Sequence, residues 1–229
     1  MFCGTASGRK LYTTPHDIFP PRRLPHHPMS LYPHVRFLTS AAQAGQLAAD
    51  TGREVAFAGR SNAGKSTAIN AIVERSGLAR VSRTPGRTQL INFFELVPDR
   101  RLVDLPGYGY AKVPEKVQAR WLELMEHYFN TRESLVGLVL IVDSRRGLGQ
   151  QDATMLEWVL ARGRRAHVLL TKSDKLNRQD ASRVLKETNE SCRDAAVSTQ
   201  LFSAHAKQGF DQARSVLAQW LDGDSTAAG

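Results

Sequence analysis

One eight-residue stretch constrains this chain more than its composition does. Gly59-Arg60-Ser61-Asn62-Ala63-Gly64-Lys65-Ser66 satisfies Gly-x-x-x-x-Gly-Lys-Ser/Thr at every fixed position. The stretch follows a short apolar run, Glu54–Gly59, and opens a helical pattern over Lys65–Arg75, so it sits in the strand–loop–helix context its chemistry requires. Glycines let the backbone wrap tightly, and successive N–H groups then point at phosphate oxygens. The start of the helix adds its positive dipole end. Lys65 is placed to reach the outer phosphates, and the Ser66 hydroxyl is a ligand for Mg²⁺.

Beyond this loop, strand and helix patterns alternate. Gln89–Val97 and Arg101–Asp104 read as two strands joined through Pro98-Asp99, a hairpin signal. Pro114–Arg132 reads as a helix whose Val117, Trp121, Leu124, Met125 and Tyr128 share one face. Strand Val136–Val142, helix Gln151–Ala161, strand His167–Leu170, helix Arg178–Glu190, strand Val197–Phe202 and helix Phe210–Leu221 follow. Such alternation implies right-handed crossovers and a mostly parallel sheet with helices on both faces. The expected architecture is α/β: six strands, mostly parallel, with one antiparallel edge strand.

Asp104-Leu105-Pro106-Gly107 closes the second of the paired strands, about 40 residues after the phosphate loop. An aspartate there can hold Mg²⁺ through water, and Gly107 offers a backbone N–H to a terminal phosphate. Thr171-Lys172-Ser173-Asp174 follows another strand. The Asp174 carboxylate can accept from guanine N1–H and from the exocyclic amine; adenine has neither donor at those positions. The Lys172 stem can pack on the base. Phe202-Ser203-Ala204 ends the last strand, where the Ala204 N–H can meet guanine O6. Between the first helix and the paired strands lies Arg83-Thr84-Pro85-Gly86-Arg87-Thr88-Gln89. A nucleotide-sensing loop needs a threonine here, and Thr84 and Thr88 both qualify by residue type.

Charge points to a polyanionic partner. Lys plus Arg number 31 against 22 Asp plus Glu, a net charge of +9 at a pI near 9.9. Arginine outnumbers lysine 23 to 8, a skew that genome base composition also produces. Two distant cysteines, Cys3 and Cys192, exclude a disulfide scaffold and a cysteine zinc site. The histidines lack ligand spacing, and no Ser–His–Asp arrangement supports nucleophilic catalysis. No apolar run is long enough for a membrane span, so the expected setting is the cytoplasm. Residues 1–28 hold five of the 10 prolines and show no apolar period. They read as a disordered extension, with Met29 as an alternative start. Residues 29–221 read as one nucleotide-binding domain and 222–229 as a loose tail.

Together these segments resemble the EngB family (also called YsxC or YihA), bacterial GTPases of the Ras-like P-loop class linked to assembly of the large ribosomal subunit. The resemblance rests on Gly59–Ser66 with Thr67, on Thr84-Pro85-Gly86-Arg87-Thr88-Gln89-Leu90-Ile91-Asn92-Phe93-Phe94 and on Asp104-Leu105-Pro106-Gly107-Tyr108-Gly109-Tyr110-Ala111. Thr171-Lys172-Ser173-Asp174 and Phe202-Ser203 complete it. It spans roughly Phe37 to Leu221; His205-Ala206 departs from the family pattern, and residues 1–28 match nothing in it.

The resemblance implies a three-layer GTPase fold, GTP or GDP as the bound nucleotide, and Mg²⁺ held by Ser66, by Thr88 rather than Thr84, and by Asp104 through water. It implies nucleotide contacts from Gly59–Thr67, Gly86–Leu90, Asp104–Gly107, Thr171–Asp174 and Phe202–Ala204, with Lys65 and Thr88 serving hydrolysis. Asn62 stands where similar GTPases ligate K⁺. Ras places a glutamine after the Asp-x-x-Gly glycine to orient water; here that position is Tyr108, which implies slow intrinsic hydrolysis. The implied partners are the large ribosomal subunit, its RNA and its proteins, met by a monomer through loops 80–90 and 106–115. A small-molecule phosphotransferase and a non-enzymatic scaffold or cell-division factor are the competing readings. The first leaves Thr171–Asp174 unexplained, and the second has no need of Lys65, Ser66, Thr88 and Asp104 together.

Overall fold

The structure, a computed structural model, describes residues 34–79, 90–109 and 114–223. In chain order the elements are β1 (Arg36–Ala41), β2 (Arg53–Gly59), α1 (Lys65–Ile72), β3 (Ile91–Val97), β4 (Arg100–Asp104) and α2 (Glu115–Thr131). Then come β5 (Leu135–Asp143), α3 (Gln150–Leu160), β6 (Arg165–Thr171), α4 (Arg178–Ser191), β7 (Val197–Leu201) and α5 (Phe210–Asp222). The strands form one sheet in the order β1-β3-β4-β2-β5-β6-β7. β4, β2, β5, β6 and β7 run parallel, while β3 pairs antiparallel with both β4 and β1.

The α/β class and the antiparallel edge agree with the sequence reading, but the sheet has seven strands rather than six. The additional strand, β1, is exposed over its first three residues and has a register shift between Phe37 and Thr39. It therefore lacks the clean alternation that marks a strand in sequence, and its partner among the described residues lies fifty or more residues away, at Ile91–Glu95. Helix α1 also stops earlier than expected, at Ile72. Glu74 adopts φ 54, a left-handed conformation that a continuing helix forbids.

The central strands alternate their side chains between two cores. Ala56, Ala58, Leu138, Leu140 and Val142 face α2 and α3 through Met125, Tyr128 and Val159. Val55, Phe57, Val139 and Ile141 face α1 and α5 through Ile69, Ile72 and Leu217. Burial on both faces explains why β2 and β5 are nearly continuous apolar runs. No helix among the described residues is long and apolar enough to cross a membrane.

Gly137 lets α5 approach β5: a Cβ there would lie 2.5 Å from Cε3 of the buried Trp220 ring. Gly137→Ala is expected to cost about 1–3 kcal/mol through overpacking. Chemical denaturation checks this, and an unchanged midpoint would show that the ring can move aside.

At the opposite pole from the strand ends that carry the motifs, Glu54 is fully buried. It accepts hydrogen bonds from Tyr128 Oη at 2.9 Å and from Arg132 Nε at 2.7 Å and Nη2 at 3.1 Å. Arg132 also donates to the carbonyls of Ala48 and Ala49, tying the β1–β2 connection to the end of α2.

Candidate nucleotide-binding site

The C-terminal ends of the parallel strands open on one edge of the sheet, where ligands of open α/β folds bind. β2 delivers Gly59, β4 delivers Asp104, β5 delivers Asp143, β6 delivers Thr171 and β7 leads into Phe202. Segments more than a hundred residues apart in sequence thus meet along a single rim.

The loop from Arg60 to Gly64 is shaped by two left-handed residues, Asn62 (φ 65) and Gly64 (φ 100), the latter at the N-cap of α1. Its carbonyls are held from outside. Thr171 Oγ1 donates to the Ala63 carbonyl at 2.5 Å, and Lys172 Nζ donates to the Asn62 carbonyl at 2.7 Å. With those two carbonyls secured, and with the Ser61 and Ala63 N–H groups taken by the Tyr108 and Arg60 carbonyls, the donors that a phosphate cradle requires fall to the loop's other N–H groups and the start of α1. Ser61 Oγ is buried without a hydrogen-bond partner among the described residues. A phosphate oxygen suits such an orphaned hydroxyl. Lys65 Nζ pairs with the Asp104 carboxylate, bringing together the ammonium and the acid that a phosphate–Mg²⁺ site needs. Hard oxygen donors, Ser66 and Asp104, suit Mg²⁺, which is commonly held by few protein ligands plus phosphate.

The Asp104–Gly109 loop is laid against the phosphate loop. Ser61 N–H donates to the Tyr108 carbonyl at 2.8 Å, and a Cβ on Gly107 would lie 3.2 Å from Ser61 Oγ. Tyr108 is 4% exposed, and its hydroxyl donates to Asp152 Oδ1 at 2.6 Å. Asp152 in turn accepts from Gly149 N–H at 2.8 Å, capping α3. Burial, reinforced by the Asp152 charge, raises the Tyr108 pKa far above its ordinary value. The residue at the Ras glutamine position is therefore turned into the protein and tied to α3. Arg60 runs the same way: a Cβ on Gly149 would lie 3.1 Å from its Nη1.

At the other end of the rim is a pocket of about 250 Å³ bordered by Thr67, Lys172, Asp174, Phe202, Ala204 and His205. Asp174 Oδ1 accepts from Ser203 Oγ at 2.6 Å, a bond that holds its carboxyl below the usual range and keeps it ionised. Ser203 Oγ also accepts the Ala206 N–H at 3.0 Å, so one hydroxyl joins the acid to the loop that presents Ala204. Ser173 Oγ donates to Gln208 Oε1 at 2.9 Å, linking the two base-side loops.

The site thus brings together Gly59, Arg60, Ser61, Asn62, Ala63, Gly64, Lys65, Ser66 and Thr67 with Asp104, Leu105, Pro106 and Gly107. Thr171, Lys172, Ser173 and Asp174 join them, as do Phe202, Ser203 and Ala204. Leu90 lies just before β3, while Gly86, Arg87, Thr88, Gln89 and the rival Thr84 fall outside the described residues. Two contributors escaped the sequence reading. Asp143 accepts from Lys172 Nζ at 2.9 Å and from Arg145 Nη2 at 2.7 Å. Burial opposes ionisation of Asp143, yet these bonds prevail and hold its pKa well below the carboxylate range. The signal was an acid ending the apolar run of β5. Asp152, the partner of Tyr108, had only its place in the first turn of a helix to mark it.

Comparison with known proteins places this geometry in a family. Residues 54–172 match the family model described as 50S ribosome-binding GTPase. The probable GTP-binding protein EngB of Coxiella burnetii is 51% identical over 192 residues, covering 83% of this chain and 94% of the relative. Its namesake in Xanthomonas euvesicatoria is 50% identical over 204 residues, covering 86% of this chain and 98% of the relative. Among solved structures, a probable GTP-binding protein engB superposes with a TM-score of 0.61 at 22% identity, over 74% of this chain and 98% of that one. Era in complex with MgGDPNP and nucleotides of 16S ribosomal RNA superposes at 0.56 and 15% identity, over 78% of this chain and 60% of Era.

Proposed function

The chain belongs to the EngB family of GTP-binding proteins and carries its GTPase domain, and from that premise we propose that it is a slow GTP-driven switch in assembly of the large ribosomal subunit. The observation that carries the reading is that the Gly59–Ser66 loop and the Asp174 carboxylate lie on one rim, with Lys172, two residues before Asp174, tying the loop's Asn62 carbonyl to Asp143 at the end of β5. Residues 29–221 form the nucleotide-binding domain in this reading.

Asp174 reads the guanine N1–H and amine, the Ala204 N–H reads O6, and the Lys172 stem covers the base. Gly59–Thr67 wraps the phosphates, with Gly86–Leu90 and Asp104–Gly107 closing on the outermost one. Lys65 supplies positive charge to phosphates whose charge grows in the transition state. Ser66 and Thr88 would hold Mg²⁺, with Asp104 acting through water; the ion, when bound, neutralises charge on the phosphates. The nucleotide state orders or releases loops 80–90 and 106–115. Their Arg80, Arg83, Arg87 and Lys112, with Lys116 just beyond, meet ribosomal RNA phosphates as counterions are released. The linked need, direct or through the supply of ribosomes, is normal cell division and septation, and the setting is the cytoplasm.

The test is co-sedimentation of the purified protein with ribosomal subunits. Binding to large subunits with a non-hydrolysable GTP analogue, lost with GDP, is the expected result. A protein that binds GTP normally yet pellets with subunits in neither state would sink the ribosomal role.

Hydrolysis by the protein alone is expected to be slow, on the order of 10⁻⁴ to 10⁻³ s⁻¹, the range of Ras without a partner. Tyr108 is held by Asp152 and cannot align water as a glutamine amide does. The missing charge comes from a monovalent cation at Asn62, from the ribosomal partner, or from both. The Asn62 carbonyl is already taken by Lys172, while its exposed side-chain amide makes no bond among the described residues. K⁺ is expected to accelerate single-turnover hydrolysis over Na⁺, and Asn62→Ala to remove mainly that increment. Equal rates in the two salts, with and without large subunits, would eliminate the cation.

A further inference from the structure

Behind the base pocket lies a buried polar chain that no part of the hydrolytic scheme uses. His167 on β6 and Gln200 on β7 are 1% and 3% exposed, on the face covered by α1 and α5. His167 Nε2 is 2.9 Å from Gln200 Oε1, and its Nδ1 is 2.7 Å from Ser198 Oγ. The Gln200 amide nitrogen donates to the Gly209 carbonyl at 2.7 Å and to the Leu201 carbonyl at 3.3 Å. Because that nitrogen faces two acceptors, the amide oxygen must face His167. The imidazole therefore carries its proton on Nε2, and Nδ1 accepts from Ser198.

Leu201 and Gly209 bracket the loop that presents Ser203 and Ala204. Between them Ser203 and Gln208 exchange backbone bonds of 3.1 and 2.9 Å, closing the loop at its neck. Gly209 turns into α5 at φ 79, and a Cβ there would lie 2.5 Å from Gln200 Nε2 and 2.4 Å from the Leu201 carbonyl. The neck is thus pressed onto the Gln200 side chain with no slack. Displacement at Gly209 passes through Gln208 to Ser203, whose hydroxyl holds Asp174.

We propose that Gln200, oriented by His167, is a positioning residue that sets the guanine-reading loop and thereby how well the protein tells guanine from hypoxanthine. The proposal rests on the assignment of the Asp174–Ala204 pocket to the base. Hypoxanthine keeps N1–H and O6 but lacks the amine, so its loss reports how well Asp174 is aimed. A leucine at 200 fills the space but takes the amide donor from the Leu201 and Gly209 carbonyls, leaving the latter the Ala213 N–H of α5, a cost borne by the loop.

The experiment measures GDP and inosine diphosphate affinities and GDP dissociation rates for the full chain and for Gln200→Leu, Gln200→Glu, His167→Leu and His167→Gln, with melting curves for each. Gln200→Leu and Gln200→Glu are expected to speed GDP release about three- to tenfold, the scale of one or two neutral hydrogen bonds. They are also expected to narrow the GDP-to-inosine-diphosphate preference. His167→Leu follows them, whereas His167→Gln, which keeps a donor toward Gln200, restores the preference. Both affinities falling by the same factor, or only the melting temperature falling, would show a merely structural pair and overturn the proposal while leaving the base site intact. An unsubstituted protein that prefers neither diphosphate and binds ATP as well as GTP would overturn the base-site assignment itself.

Discussion

Asp174→Asn is expected to lower GTP affinity about 30- to 150-fold and to turn the preference toward xanthine nucleotides. The Ser203 hydrogen bond holds the carboxyl below its usual range, and the carboxylate borders a pocket of about 250 Å³. Losing a charge-assisted pair of bonds costs about 2–3 kcal/mol, and each 1.4 kcal/mol is about tenfold in affinity. An asparagine amide donates where the carboxylate accepts, so it suits the carbonyl that xanthine carries at position 2 in place of the amine. Competition binding with GTP, XTP and ATP checks this. ATP competing as well as GTP against the unsubstituted protein would refute the base assignment.

Arg132→Ala is expected to produce the largest loss of stability, about 3–5 kcal/mol, because it strands a buried carboxylate. Glu54 is fully buried, and Arg132 gives it two hydrogen bonds; Arg101 Nε remains only at 3.4 Å and Tyr128 offers one hydroxyl. For a domain of this size the melting temperature should fall by roughly 6–20 °C. The double variant Glu54→Gln/Arg132→Met should lose less, since no buried carboxylate is left without its guanidinium, although the buried Arg101 gives up its ion pair with Glu54 and keeps its hydrogen bond to the Thr51 carbonyl. The pair sits at the start of β2, remote from Gly59 at its end, so GDP affinity of the folded fraction should be unchanged. Thermal melts of the two variants decide the point: equal losses would mean that packing, not charge, is what Arg132 supplies.

Chemistry that depends on local spacing was legible in the chain. The phosphate loop, Asp104 at a strand end and Asp174 after another each combine a residue type with a backbone context that a few neighbours define. Their convergence on one rim follows from parallel strands alone, because every parallel strand must end on the same edge.

Other features were invisible for physical reasons. β1 carries little burial of its own and exists because β3 offers it an open edge. Asp143 and Asp152 are single acids without a motif, and their roles arise only when folding brings Lys172 and Tyr108 within hydrogen-bond reach. His167 and Gln200 read as ordinary strand residues, and 33 residues separate them in the chain.

Local sequence, then, determined which backbone segments could bind phosphate and guanine, since those properties reside in one loop or one side chain. The tertiary structure decided what holds each segment in place. A bracing contact is a meeting of side chains from distant segments, and nothing in the spacing of either one records it.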